Sequence, residues 1–283
     1  MTVWLGLLAA ASWGTSDFFG GLAGRRIGRD MSATIALASQ AIGLLGLGTL
    51  ALVLGGEMTG RDLTWACLAG VSGAFGVMFL YRGLRIGRMG VVAPVTGALA
   101  AAVPAGVSPL IGEDPGLQAW LGIVLAVVAI VIVAREPHDA HPEGNEALGS
   151  GIREAVLAGL GFAGVGIALN ATADASELLP FLPMKLVASL LLVGLVVRRR
   201  ERPADARGHW HVIASTGILD NAANVAYLFA LRGGSLAVAA TLASLYPVGT
   251  TLLARVVLHE RLARIQQAGF ALAIAAVVII GLA

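Results

Sequence analysis

Charge is scarce in this chain, and cysteine and lysine are scarcer still. Asp, Glu, Lys and Arg make up 13% of its 283 residues, about half the ~25% found in soluble domains. That composition excludes an ordinary water-soluble fold, whose surface needs more charge. A single cysteine, Cys67, excludes an internal disulfide and a cysteine-rich metal centre. The five histidines, His138, His141, His209, His211 and His259, fall in loops or at helix edges, and His259-Glu260 lacks the second histidine of a zinc motif. No Walker A string appears, so nothing points to ATP as an energy source. The basic balance, with a net charge of +2 and a pI near 9.1, does not imply a nucleic-acid partner. The arginines are spread over short loops and do not gather on one patch. Neither a metal nor a cofactor is expected.

What is abundant is apolar: 57% of the residues are hydrophobic and 38 are glycine. Runs of about 20 apolar residues are transmembrane candidates. Ten can be read, near 3–22, 32–54, 63–82, 90–110, 117–134, 152–172, 178–197, 211–231, 236–257 and 265–282. The polar linker 135–151 separates a first five-helix unit, 1–134, from a second, 152–283. The halves are related in sequence. A slide of about 147 positions sets Leu84 on Leu231, Arg85 on Arg232, Gly87 on Gly234, Glu113 on Glu260 and Gly122 on Gly269 without a gap. Matched Ala and Leu mean little in such a chain, but two aligned glutamates mean more, because acids are rare here. An odd number of helices per unit makes the second unit insert upside down, so the expected fold class is an all-α membrane protein of two inverted five-helix repeats around a central cavity. Small residues spaced as Gly20/Gly24 and Gly83/Gly87 suit close helix contact, although chance spacing is common at this glycine content.

Loops that follow odd-numbered helices hold sixteen arginines, and loops that follow even-numbered helices hold two, Arg61 and Arg232. Positive residues stay on the cytoplasmic side, so both termini are expected outside. The first run lacks a basic leader, is long for a signal peptide and contains Asp17, so it is expected to stay in the mature protein.

Three charges fall inside the apolar runs: Asp17, Lys185 (the only lysine) and Asp220. A charge at the bilayer centre costs at least about 2.5–3.5 kcal/mol, so each should face water or a partner. Asn224 and Tyr227 follow Asp220 at helical spacing, Asn221 sits alongside, and Trp13 shares a face with Asp17. The functional reading is a polar cavity in which an aspartate takes a proton or a cationic group. The structural alternative is a buried Asp–Asn or Asp–Lys network that locks helices together; for Lys185, whose long stem can snorkel, it weighs as much as a cavity role. Tyr81 and Tyr246 are further wall candidates, or interface anchors. Pro94, Pro104, Pro109 and Pro247 interrupt helices and either expose backbone to a substrate or merely shape packing. Glu113 and Glu260, at helix ends, are expected to organise loops.

One enzyme-like string exists, Gly70-Val71-Ser72-Gly73, similar to the nucleophile motif of rhomboid intramembrane proteases. A serine nucleophile needs a base within reach, and no histidine lies deep in an apolar run. The protease reading therefore ranks below a membrane scaffold or sensor, which itself ranks below a transporter.

Residues 242–283, LASLYPVGTTLLARVVLHERLARIQQAGFALAIAAVVIIGLA, carry Pro247, a terminal Glu260 and a Gln266-x-x-Gly269 leading into the last run. Glu113, Gln118 and Gly122 form a weaker copy, Trp13-Gly14 stands in the first run, and Lys185 has Gln40 as its counterpart in the first half. These features resemble the EamA-type transporters of the drug/metabolite transporter superfamily, over nearly the whole chain. The resemblance implies ten helices in inverted halves and a secondary carrier in the inner membrane. Such a carrier moves small metabolites, amino acids or amphipathic compounds, often outward, with or without protons as the coupling ion. Members of this family are usually drawn with cytoplasmic termini, opposite to the arginine count, which is preferred for this chain.

Overall fold

The structure, a computed structural model, describes residues 2–107, 116–134, 151–232 and 245–281. They form ten α-helices: α1 (Thr2–Ile27), α2 (Ser32–Leu54), α3 (Gly60–Ile86), α4 (Met89–Val107), α5 (Gly116–Ala134), α6 (Ile152–Asn170), α7 (Phe181–Arg198), α8 (Trp210–Arg232), α9 (Tyr246–Val257) and α10 (Arg264–Gly281). No strand occurs among the described residues. Glu113, Pro109, Gly234, the linker 135–150 with His138 and His141, and the expected start of the ninth helix at 236 lie outside them.

Four helices, α2, α3, α6 and α7, are long and apolar enough to cross a membrane by length and composition, and α4, α5 and α10 contain shorter apolar stretches. The two full-length helices that fall short, α1 and α8, carry Asp17, and Asp220, Asn221 and Asn224. A helix that faces an internal polar space loses apolar residues along that face. Large side chains such as Leu52, Val53, Leu117, Val124, Leu190 and Val197 are exposed on the outer helices, as acyl chains but not water would allow. The chain is a multi-pass membrane protein.

Local chemistry fixes several helix ends. Thr59 and Asp62 form a reciprocal capping box at the start of α3, and the second Asp62 oxygen accepts from the Ala173 amide at 2.8 Å. One carboxylate thus starts a helix and fastens the loop after α2 to the loop after α6. The seventh helix begins at Phe181, later than the 178 expected from the apolar run. Pro180 occupies its N-cap, and tight turns such as Phe181 N–H to Leu178 O at 3.0 Å precede it. Two short 3-10 helices, Asp174–Ser176 and Pro203–His209, were not expected from sequence.

Every second loop lies at the same end of the bundle. Ion pairs join the α1–α2, α3, α5–α6 and α7–α8 connections: Arg29–Asp205 at 2.6 Å, Arg82–Asp30 at 3.5 Å, Arg82–Glu154 at 3.5 Å and Arg199–Asp30 at 3.7 Å. This is the arginine-rich end. The buried core is thickest beside it, around Leu84, Met89, Val92, Val196 and Ile213.

Helices of the two halves pack on each other in a swapped pattern. α1 packs on α8 and α9, while α6 packs on α3 and α4; α2 meets α7, and α5 meets α10. Glycines permit the closest approaches. A methyl group at Gly20 or Gly24 would run into Tyr81 or Arg85, four residues apart on α3, and one at Gly14 would meet the α9 backbone at Tyr246 and Thr250. The Gly20/Gly24 spacing is therefore a real contact surface. Ser72, of the protease-like string, packs against Gly161 and Gly164 of α6.

Candidate functional site

A cavity of 390 Å³ lies between the helices, within the range of small-molecule sites. Eight of the nine residues singled out from sequence line it: Trp13 and Asp17 from α1, Tyr81 from α3, Lys185 from α7, Asp220, Asn224 and Tyr227 from α8, and Tyr246 from α9. The ninth, Asn221, stands apart. Its Nδ2 donates to Gly217 O at 2.7 Å, and its Oδ1 lies against Gly43 of α2 without a hydrogen-bond donor. One residue along a helix is a turn of about 100°, which carries Asn221 off the Asp220 face.

The three ionisable groups are arranged unequally. Lys185 Nζ donates to Asp220 Oδ2 at 3.0 Å, with the lysine side chain 4% exposed and the aspartate 22%. The Asp–Lys network and the polar cavity, alternatives in the sequence, are thus one arrangement, because the pair lies on the cavity wall. Asn224 does not extend that network: its Nδ2 donates to the Asp220 backbone carbonyl at 2.7 Å. Asp17 also faces the cavity and is 8% exposed, and among the described residues its carboxyl has neither an ion-pair partner nor a side-chain hydrogen bond. Asp17 and Asp220 line the same cavity.

The α1 backbone that presents Asp17 is tied down on both sides. Ser16 Oγ donates to Thr216 O of α8 at 2.8 Å, and Thr250 Oγ1 of α9 donates to Gly14 O at 3.0 Å. Trp13 and Tyr227 meet with ring centroids 5.5 Å apart at 53°, so α1 and α8 also share an aromatic contact on the cavity wall.

Much of the remaining wall is apolar: Val77, Phe162, Val165, Leu169, Phe181 and Met184. Sequence reasoning did not single these out, and could not, since the same residue types face lipid elsewhere. Gln40, polar within an apolar run, is 7% exposed, lines the cavity, and carried a weak signal as the counterpart of Lys185. No histidine among the described residues lines the cavity, so Ser72 has no imidazole base there.

The cavity is placed asymmetrically. It uses the C-terminal half of α6 (Phe162 to Leu169) and the N-terminal part of α7 (Phe181 to Ala188), both remote from the arginine-rich end. That end is tied together by Glu260. Its carboxylate accepts from Arg25 at 2.7 Å and from the Met89 and Gly90 amides at 3.3 and 3.4 Å. Arg25 also donates to Leu84 O at 3.0 Å and Gly87 O at 2.6 Å. An acid at the α4 N-terminus and a base at the α1 and α3 C-termini both complement the helix dipoles. The expected loop-organising role of Glu260 is what this geometry provides.

No curated protein matches the chain. A solved crystal structure with 16% identity superposes with a TM-score of 0.61, covering 98% of this chain and 95% of that one, so the two share a fold. The model of the EamA-like transporter family matches twice, at residues 1–135 and 149–282. Nearly the whole chain is accounted for by these two matches, and the chain belongs to the EamA-like transporter family.

Proposed function

We propose that this protein is a secondary carrier of the inner membrane that moves small metabolites, amino acids or amphipathic compounds outward by alternating access. The observation that carries this reading is the cavity itself. It gathers the three charges expected to be costly in lipid, Asp17, Lys185 and Asp220, with aromatic side chains from six helices. Such charges default to a transport or coupling role. A wholly apolar cavity would have favoured the scaffold reading.

The substrate sits near the bilayer midplane among Trp13, Asp17, Tyr81, Lys185, Asp220, Asn224, Tyr227 and Tyr246. The halves are related by an inverted pseudo-two-fold. The swapped packing supports this, since α1 on α8 and α9 becomes α6 on α3 and α4 when five is added to each number. The arginine-rich end is cytoplasmic and closed by Glu260 and its neighbours, and the cavity belongs to an outward-facing state. A reporter fused after Ala283 is expected to be active outside; activity confined to the cytoplasm would overturn the orientation. Solute flux in reconstituted vesicles, with and without a pH gradient, tests the function, and gradient-driven flux that the Asp220→Asn variant lacks is the expected result. Flux that ignores the gradient removes protons as the coupling ion, and no flux of any amphipathic solute removes the carrier reading.

A further inference from the structure

We infer that the cavity selects a small organic monocation with an aromatic or similarly apolar body, such as a protonated primary arylalkylamine, over zwitterionic, neutral or anionic compounds of the same body. This rests on the cavity being the substrate site and names the class of substrate.

The charges on its wall decide the preference. The cavity holds two carboxyl groups and one ammonium. The ammonium of Lys185 is committed to Asp220 at 3.0 Å. Asp17 is left, more than nine-tenths buried, aimed into the space and without a cationic or hydrogen-bonding partner among the described residues. A buried acid of this kind is costly in its charged form unless a positive group meets it, and otherwise it holds a proton. No second cation among the described residues lines the cavity, so the positive group that meets an ionised Asp17 is one that a ligand brings in exchange for the proton.

Each competitor fails for a specific reason. A zwitterion brings an ammonium for Asp17 but also a carboxylate, and the single lysine is already neutralised by Asp220. Its carboxylate would sit beside two acids. An anion meets the same excess of negative charge with no compensation. A neutral alcohol fills the apolar part and leaves Asp17 as it was. The monocation alone satisfies Asp17 and lays its body on Trp13, Phe162, Phe181 and Tyr227. The faces of Trp13 and Tyr227 add attraction for a cation beside them.

The test uses compounds that share a phenyl body: 2-phenethylamine, phenylalanine, 2-phenylethanol and phenylacetate. Equilibrium dialysis against the full chain in nanodiscs at neutral pH measures binding. Phenethylamine is expected to bind at least about tenfold more tightly than each of the others, the scale of one hydrogen bond to a charged group. Asp17→Asn should abolish that preference while 2-phenylethanol binding stays within about twofold, and Asp17→Glu should keep it. Equal binding of phenylalanine or phenylethanol to the wild-type chain overturns the inference, as does a preference that survives Asp17→Asn, or no binding of phenethylamine at millimolar concentration. The wild-type comparison decides the matter even where Asp17→Asn fails to fold. Vesicle flux separates the two proposals: selective binding without flux overturns the carrier and leaves the cation preference standing. Flux of phenylalanine without phenethylamine binding does the reverse.

Discussion

Two ion pairs of similar length sit in different parts of this bundle, and they differ in what else their atoms do. In the Arg25–Glu260 pair, at 2.7 Å, the guanidinium also meets two carbonyls and the carboxylate two amides. Each charged group is thus bonded to backbone as well as to its partner. In the Lys185–Asp220 pair, at 3.0 Å, no further side-chain hydrogen bond is made by either charged group among the described residues, and the aspartate keeps 22% of its surface toward the cavity. The pair with many backbone bonds holds helix ends together. The pair with no other side-chain bonds, with Asp17 on the same cavity, keeps more hydrogen-bonding capacity for something that arrives from outside. Charge in a membrane protein is thus sorted by how completely it is satisfied, and not by its presence alone.

The comparison breaks most visibly at Asp220. Asp220→Asn leaves Lys185 buried without its counter-charge, at a cost of about 3–5 kcal/mol. Gradient-driven flux should disappear, and the thermal midpoint in detergent should fall by several degrees. The double variant Lys185→Met with Asp220→Leu should regain stability without regaining flux, because an apolar pair of similar volume fills the space. Restored flux in the double variant would show the pair to be structural only.

Glu260→Gln tests the other side. Weakening the charged hydrogen bonds to Arg25 and the α4 amides should cost about 1.5–3 kcal/mol, seen as a lower thermal midpoint. The preference for phenethylamine should remain, since Glu260 lies outside the cavity wall. Loss of that preference would mean that the closed end and the cavity are not separable.

Gly20→Val asks how much of the rigidity comes from packing and how much from ions. The added carbons would meet the Tyr81 ring, and overpacking of this kind costs about 1–3 kcal/mol. A normal midpoint and normal phenethylamine binding would show that α1 and α3 have slack between them.

The smallest effect belongs to Asp30, in the α1–α2 loop at the arginine-rich end. Burial pushes its carboxyl up, but the Ser32 hydrogen bonds and the charges of Arg85 and Arg82 outweigh this and hold it below its ordinary value. A carboxyl depressed in the folded state contributes stability above its unfolded-state value and loses it as pH falls through the folded one. Acid titration below about pH 4 should therefore destabilise the wild type slightly more than Asp30→Asn. Identical acid curves would show Asp30 to be screened.

How far the site could be read in advance depended on rarity. Asp17, Lys185 and Asp220 stood out because nearly every other charge falls in a loop or at a helix end, and the structure places all three on one cavity. Trp13 and Tyr227 followed from their spacing along α1 and α8. Phe162, Phe181 and Met184 carried no signal, because an apolar cavity wall and a lipid-facing surface draw on the same residue types. Asn224 shared the Asp220 face by its spacing, whereas Asn221, singled out only as its neighbour, is turned toward Gly43 of α2 and off the cavity wall.

From sequence alone came the ten-helix membrane character, the two related halves and the identity of the costly charges. These follow from local quantities: apolar run length, loop composition and the expense of ions in lipid. Which charges meet, and which is left over, was decided only by the tertiary structure. Pairing depends on α7 and α8 both packing on α2, where Gly43 lies against Lys185 and Asn221, and on the approach of α1 to α8 and α9. That packing commits Lys185 to Asp220 and leaves Asp17 to face the cavity without a partner.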